Sequence, residues 1–256
     1  YRGYDSCGVA IINNGGIEVR KNIGTVDEVN ALEGLTEIDG EIGIAHTRWA
    51  THGKVSKENT HPHTTASGKF AVVHNGIIAN YRALREQLQA KGHTFQSETD
   101  TEVIPYLIEE KMDDGLHLED AFRFAVQELE GSFAIAVLTL CDRDRILCAK
   151  KESPLILGIG DSRNFVGSDF NAFIDYTKHA IVLDDGEMAI VTRNDFTVKN
   201  FLTGRIIRKN VMEIQWDAEM SKRGGYPHYM LKEIYEQPRT VQNALDLDRN
   251  ELRRIA

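Results

Sequence analysis

The chain has 256 residues, room for one large domain or two small ones, and its 41% hydrophobic and 27% charged residues are ordinary for a soluble globular protein. A formal net charge of -9 argues against a nucleic-acid surface or an anionic-membrane surface, both of which need clustered Lys and Arg. No apolar run approaches the roughly 20 residues of a membrane span, and the start has no basic-then-apolar secretory pattern, so the cytoplasm is the expected compartment.

Residues 8–12 read as an apolar strand, with Asn14, Gly15 and Gly16 closing a hairpin onto 17–20. Thr25 is placed to cap a short helix through Val29, Leu32 and Leu35, with Glu28 completing a capping box. Residues 42–50 form a strand that delivers His46, Arg48 and Trp49, and a loop rich in Thr, His, Asn and Ser follows up to Gly68. A second strand, 70–78, carries His74, Asn75 and Gly76 near its end. Asn80 is the expected N-cap of a helix with Tyr81, Leu84 and Leu88 at helical spacing, closed by Gly92. The polar loop of Ser97, Glu98, Thr99 and Asp100 precedes a helix striped by Val103, Ile104, Leu107 and Ile108, and a further helix carries Ala121, Phe122, Ala125, Val126 and Leu129.

The run 133–140 is apolar with little alternation, which predicts a strand covered on both faces. Short strands follow at 146–149, 155–158, 165–167, 180–183 and 188–191, then a hairpin of 196–201 with 205–208. Hairpin-linked strands, a block of helices and a doubly covered strand suit an α+β fold in which two antiparallel sheets pack face to face with helices outside. From Glu213 the composition changes, and a helix is expected over 230–245. The predicted organisation is therefore a domain over 1–212 and, over 213–256, a linker that begins contact with something beyond the chain, with a C-terminal helix packed on the same domain as the alternative.

Chemistry concentrates in 46–78, where five histidines, an Arg-Trp pair and an Asn-Gly step share one short span. Buried strands avoid so many polar groups unless each has a partner. Cys7, Cys141 and Cys148 have neither zinc-ligand spacing nor an even count, so packed thiols are expected. Taken alone, Arg48 reads as a surface ion pair, Asp100 as a helix cap, Asn75-Gly76 as a turn, and His46 and His74 as core histidines.

In order along the chain, YRGYDS, GIAHTRWATHG, NTHPH, VVHNGIIAN, SETDTE and HYMLKEIYEQP resemble the glutaminase half of the isomerising glutamine:fructose-6-phosphate amidotransferases. The resemblance implies an N-terminal-nucleophile fold, a four-layer αββα sandwich. It implies a reaction in which a cysteine at the mature N-terminus attacks the side-chain amide of L-glutamine, forms a glutamyl thioester and releases ammonia. No cofactor or metal is implied. By the same resemblance Arg48 would pair with the glutamine α-carboxylate and Asp100 with its α-ammonium. Asn75 through its side chain and Gly76 through its N–H would form the oxyanion hole. Thr51, His52 and His61 would line the pocket, Trp49 would sit on a covering loop, and Arg2 would help lower the thiol pKa.

In this family the nucleophilic cysteine comes before the position of Tyr1, and the sugar-isomerase domains come after that of Ala256. A polypeptide that truly begins at Tyr1 is expected to have no glutaminase activity, with Cys7 no substitute; a segment omitted from the sequence is the simplest account. The full-length form is expected to be a homodimer. Two other readings stay open: a metal-dependent hydrolase using His46, His52, His61, His63 and His74, and a non-catalytic glutamine-binding module.

Overall fold

The computed structural model describes residues 5–50, 52–215 and 226–245. Its strands and helices begin with β1 (Ser6–Asn13), β2 (Gly16–Ile23), α1 (Val26–Glu33), β3 (Ile42–Arg48), β4 (His63–Thr64) and β5 (Phe70–Ile78). Three helices follow, α2 (Tyr81–Ala90), α3 (Val103–Asp113) and α4 (Leu118–Gln127). The chain then runs through β6 (Gly131–Thr139), β7 (Arg145–Lys151), β8 (Ile156–Ile159), β9 (Asn164–Gly167), β10 (His179–Val182) and β11 (Glu187–Thr192). It continues through β12 (Phe196–Asn200), β13 (Ile206–Ile207), β14 (Met212–Glu213) and α5 (Tyr229–Leu245).

Local chemistry explains the first elements. Asn13 pairs with Gly16 across the β1–β2 turn, and its Oδ1 accepts the N–H of Gly15 at 2.9 Å. Thr25 and Glu28 make the capping box of α1, and Gly34 ends the helix in the left-handed region. Asn80 holds the N-cap position of α2 as expected, and its carbonyl accepts the N–H of Leu84 at 3.2 Å, but its side chain is used elsewhere. Its side chain makes no cap bond; the amide donates to the carbonyl of Glu128 at 2.8 Å and accepts from the N–H of Glu130 at 3.1 Å. The loop after α4 thus occupies the amide that would otherwise cap the helix N–H groups.

A seven-stranded antiparallel sheet, in the order β13-β12-β11-β7-β6-β5-β4, forms the centre. The facing layer has two pieces, β2-β1-β3 and β14-β10-β8-β9, hydrogen-bonded separately among the described residues. Strand β6 shows why its sequence does not alternate in polarity. Phe133, Ile135 and Val137 face the α2–α4 layer, while Ala134, Ala136 and Leu138 face the second sheet layer. Both faces are buried, so alternation is in size. Ala71, Ala134, Ala136, Cys148 and Ala189 keep the inter-sheet face thin. On the far side α1 packs on β1 and β2, with Val29 fully buried, and completes the four layers.

The chain divides into two compact units with the boundary at Glu213 and Ile214. In the second unit α5 holds Pro238 in its interior, which removes one helical N–H donor, and the rings of Tyr226 and Tyr235 stack at 5.5 Å. Residues 216–225, including Trp216 and Gly224, lie outside the described residues.

Size alternation on β6 gives a test. Ala136→Leu should lower unfolding free energy by about 1–3 kcal/mol, because the inter-sheet gap has no room for three more carbons. Urea unfolding of the purified chain measures it, and an unchanged midpoint would contradict the close approach of the sheets.

Candidate active site

Strands from opposite layers deliver the polar cluster. Along β3, Ile44, His46 and Arg48 share one face, across from Ala10, Gly8 and Ser6 of β1. That face looks into the inter-sheet gap, because Ala10 and Ile44 belong to its core. Along β5, Ala71 and Val73 look into the same gap, and Asn75 continues their parity. His46 and Asn75 therefore meet at the mouth of the gap, with Nε2 2.8 Å from Oδ1. An amide oxygen can only accept, so Nε2 of His46 donates and the Asn75 amide nitrogen keeps its donors for another partner.

Gly76 follows with φ at 125°, and a Cβ there would lie 2.1 Å from the carbonyl oxygen of Ser132. Only glycine fits both the conformation and the contact. The backbone that leaves Asn75 is thus held in a shape no other residue adopts without moving β6.

Arg48 is 4% exposed and ends β3. Its Nη2 donates to the carbonyl of His52 at 2.5 Å and its Nη1 to that of Lys54 at 3.3 Å. The loop after β3 thereby wraps the fork and fixes its plane, with N–H groups remaining for an anion. Burial pulls the guanidinium down from its usual value, while the carboxylates of Asp5 and Asp100 oppose that. Asp5 also accepts from the N–H of Ala50 at 2.9 Å. Asp100 is 4% exposed, and its Oδ2 accepts the N–H of Ile78 at 2.7 Å. One oxygen is thus tied to the strand that carries Asn75 and Gly76.

Beneath these groups lies a network of imidazoles and hydroxyls. The N–H of His74 donates to Nδ1 of His61 at 3.3 Å, so a neutral His61 carries its proton on Nε2, 3.3 Å from Thr101 Oγ1. Thr101 then donates to Nδ1 of His74 at 2.9 Å. His63 reaches Thr99 at 3.0 Å, and Ser97 bonds the carboxylate of Glu102 at 2.6 Å. His61 stacks on His46 with centroids 4.3 Å apart. Lys21 crosses from β2 and donates to the carbonyls of Thr60 at 2.6 Å and Pro62 at 2.9 Å. Burial pushes its pKa down to about 8.

Arg48, Asn75, Gly76 and Asp100 come together at one end of the sandwich. His61 lies behind them at 5% exposure, with both ring nitrogens engaged inside the network. The His52 ring stands edge-on to Tyr81 at 5.6 Å, and Trp49 is 66% exposed. Arg2 and Thr51 lie outside the described residues. His46 and His74, read as core histidines satisfied by neighbours, are both hydrogen-bonded, His46 to Asn75 and His74 to Thr101. Asp5 was not singled out at all, and its only sequence signal was its place in YRGYDS.

Cys7 pairs with Thr47 and so points to the face of the three-stranded sheet away from His46 and Arg48. It is 3% exposed, and burial pushes its thiol up. Cys148 is pushed up to about 12. Cys141 is exposed beyond the opposite end of β6, roughly 20 Å along the strand at 3.3 Å per residue from Ala134, the partner of Asn75. Among the described residues no three His, Cys, Asp or Glu side chains are grouped to hold a metal; His61, His63 and His74 bond hydroxyls instead.

The architecture is that of an N-terminal-nucleophile amidotransferase. It superposes on glutamine phosphoribosylpyrophosphate amidotransferase from B. subtilis with a TM-score of 0.68 and 26% identity, over 81% of this chain and 45% of that one. The glutamine amidotransferase domain model matches residues 46–175, and the chain belongs to that family. It is 49% identical over 96% of its length to glutamine–fructose-6-phosphate aminotransferase (isomerizing) of Pyrococcus horikoshii, and 47% identical over 100% to the Thermococcus kodakarensis protein of the same name. The chain spans 41% and 42% of those two relatives.

The buried imidazoles predict acid sensitivity. Burial pushes His46 down to about 4 from 6.5, and His61, His63 and His74 are lowered for the same first reason. The unfolded chain takes up protons near 6.5 and the folded chain only at lower pH. Stability is thus fully present above about 6.5 and is lost as pH falls towards about 4. The melting temperature should decline across that window, and His46→Gln should flatten the decline. A parallel pH dependence in variant and parent would contradict a neutral His46.

Proposed function

We propose that this chain is the glutamine-hydrolysing part of a glutamine:fructose-6-phosphate aminotransferase, releasing ammonia for conversion of fructose 6-phosphate to glucosamine 6-phosphate. The observation that carries the reading is the convergence of the Arg48 fork, the Asn75 amide, the glycine-only backbone at Gly76 and the tied Asp100 carboxylate at one mouth. A free amino acid with a side-chain amide matches that set: carboxylate to Arg48, ammonium to Asp100, amide carbonyl to Asn75 and Gly76. The sugar specificity is supported by the names of the relatives at 49% and 47% identity.

In this reading the attacking thiol belongs to a cysteine at the mature N-terminus of the full-length protein. Its free α-amino group, ordinarily near pKa 7.7 to 8.0, takes the thiol proton. The thiolate attacks the amide carbon, and negative charge grows on the carbonyl oxygen, where the Asn75 amide and the Gly76 N–H receive it. The carbon–nitrogen bond breaks, ammonia leaves with the added proton, and water hydrolyses the thioester to glutamate. Arg2 raises the local positive charge, Thr51 and His52 border the substrate, and Trp49 covers it. His61 acts from behind the pocket by steadying His46 and Thr101. The partners are L-glutamine and the protein's own sugar-isomerase domains, in a homodimer in the cytoplasm.

Asn75→Ala in the full-length protein should cut kcat for glutamate release by about 10²–10³, the loss typical of one oxyanion donor, with a smaller change in KM. Arg48→Lys and Asp100→Asn should mainly raise the glutamine KM. Full turnover in Asn75→Ala would remove Asn75 from the oxyanion site.

A further inference from the structure

We propose that Asn59 sets the spacing between the two groups that read the amino-acid end of the substrate, and so acts as a positioning residue for glutamine recognition. The proposal rests on the assignment of Arg48 to the α-carboxylate and Asp100 to the α-ammonium, and goes beyond it by naming what holds them at a fixed separation.

Asn59 is 1% exposed, in the loop between β3 and β4. Its Nδ2 donates to the carbonyl of Lys54 at 2.9 Å and to Oε2 of Glu98 at 3.2 Å, while its Oδ1 accepts the N–H of Glu98 at 2.8 Å. Both donors and the acceptor of the amide are thereby used. The Lys54 carbonyl is the same oxygen that receives Nη1 of Arg48 at 3.3 Å. Glu98 lies two residues before Asp100 in the loop whose carboxylate is tied to Ile78. A continuous path therefore runs from the Arg48 guanidinium through the Lys54 carbonyl to the Asn59 amide, then to Glu98 and along the backbone to Asp100.

Two further contacts tighten the path. The N–H of Lys54 points to Oε2 of Glu98 at 3.4 Å, so the exposed carboxylate ties down the same peptide segment from its other side. Gly53, at φ 74°, lies flush on the amide: a Cβ there would be 2.8 Å from Asn59 Nδ2 and 3.1 Å from Glu98 Cβ. No side chain could be placed between the two loops without driving them apart. The carboxylate and ammonium of an α-amino acid are a fixed distance apart, so a site that reads both has to hold its own two groups in matching positions. Asn59 is the side chain that joins the loop wrapping Arg48 to the loop carrying Asp100.

Asn59→Asp in the full-length enzyme keeps the side-chain shape and the acceptor for the Glu98 N–H. It removes both donated bonds and sets a second carboxylate against Glu98. The glutamine KM for glutamate release should rise about tenfold or more with kcat within about threefold, the pattern of lost ground-state binding. The KM for the sugar phosphate should stay unchanged. Adding Glu98→Gln restores a donor between the two side chains and removes the repulsion, so the double variant should recover part of the KM. Glu98→Ala, at an exposed position, should raise the glutamine KM by about threefold without impairing folding.

An unchanged glutamine KM in a folded Asn59→Asp or in Glu98→Ala overturns the proposal. So does a parallel loss of kcat, both KM values and melting temperature that Glu98→Gln fails to relieve, because that is damage to the fold alone. Arg48→Lys and Asp100→Asn, assayed beside them, separate the two levels. If those variants raise the glutamine KM and Asn59→Asp does not, the spacing role fails and the site assignment stands. If they too leave it unchanged, the assignment fails and takes the spacing role with it.

Discussion

The hydrogen bond between Nε2 of His46 and Oδ1 of Asn75 crosses from one sheet layer to the other at the open end of the sandwich. Its position depends on strand parity in both layers. A one-residue slip of β3 or β5 would turn His46, Arg48 or Asn75 away from the gap. It also depends on the narrowness of the gap, which the small residues of the central sheet permit. The bond makes the asparagine oxygen an acceptor already in use, so the function of that side chain falls to its nitrogen.

Burying polar groups behind that bond is costly unless they are paired, and the imidazole–hydroxyl network pairs His61, His63 and His74 with hydroxyls. The bonds run in one direction, from the His74 N–H to Nδ1 of His61, from Nε2 of His61 to Thr101 and from Thr101 to Nδ1 of His74. This arrangement needs neutral rings, and burial keeps them neutral. The network therefore supports the site without contributing charge to it. Charge comes from Arg48 and Asp100, each held by backbone groups: carbonyls for the cation, an N–H for the anion. In the proposed reading, recognition of a zwitterion and stabilisation of an oxyanion rest on neighbouring segments with separate supports.

The thiols illustrate how strand alternation assigns roles. Cys7 is one residue from Gly8, which stands opposite His46, yet that single step sends the sulfur to the other face of the sheet. Its burial further disfavours the thiolate. A reactive thiol needs both an exposed approach and an environment that lowers its pKa, and Cys7 has neither.

Much of this was legible along the chain. Turn chemistry at Asn14 to Gly16, the capping box at Thr25, strand 70–78 and the doubly covered strand near 133–140 all follow from local propensity and periodicity, which depend on near neighbours. Motif order brought Arg48, Asn75, Gly76 and Asp100 together as candidates before any geometry was known. Other features needed the tertiary structure. Asn80 keeps the N-cap position of its helix, but its side-chain amide bonds a carbonyl and an N–H some fifty residues away instead of the helix N–H groups. Among the described residues the facing layer divides into two sheets, and the neighbour that satisfies His46 is Asn75 of the other layer. Asn59 gained its role only when the loops at 52–60 and 97–100 came into contact. Sequence by itself determined most of the strands and helices, the double cover of strand 133–140 and the family. Which polar groups satisfy one another was decided by tertiary packing, since hydrogen bonds between segments 29 to 50 residues apart leave no periodic trace in either segment.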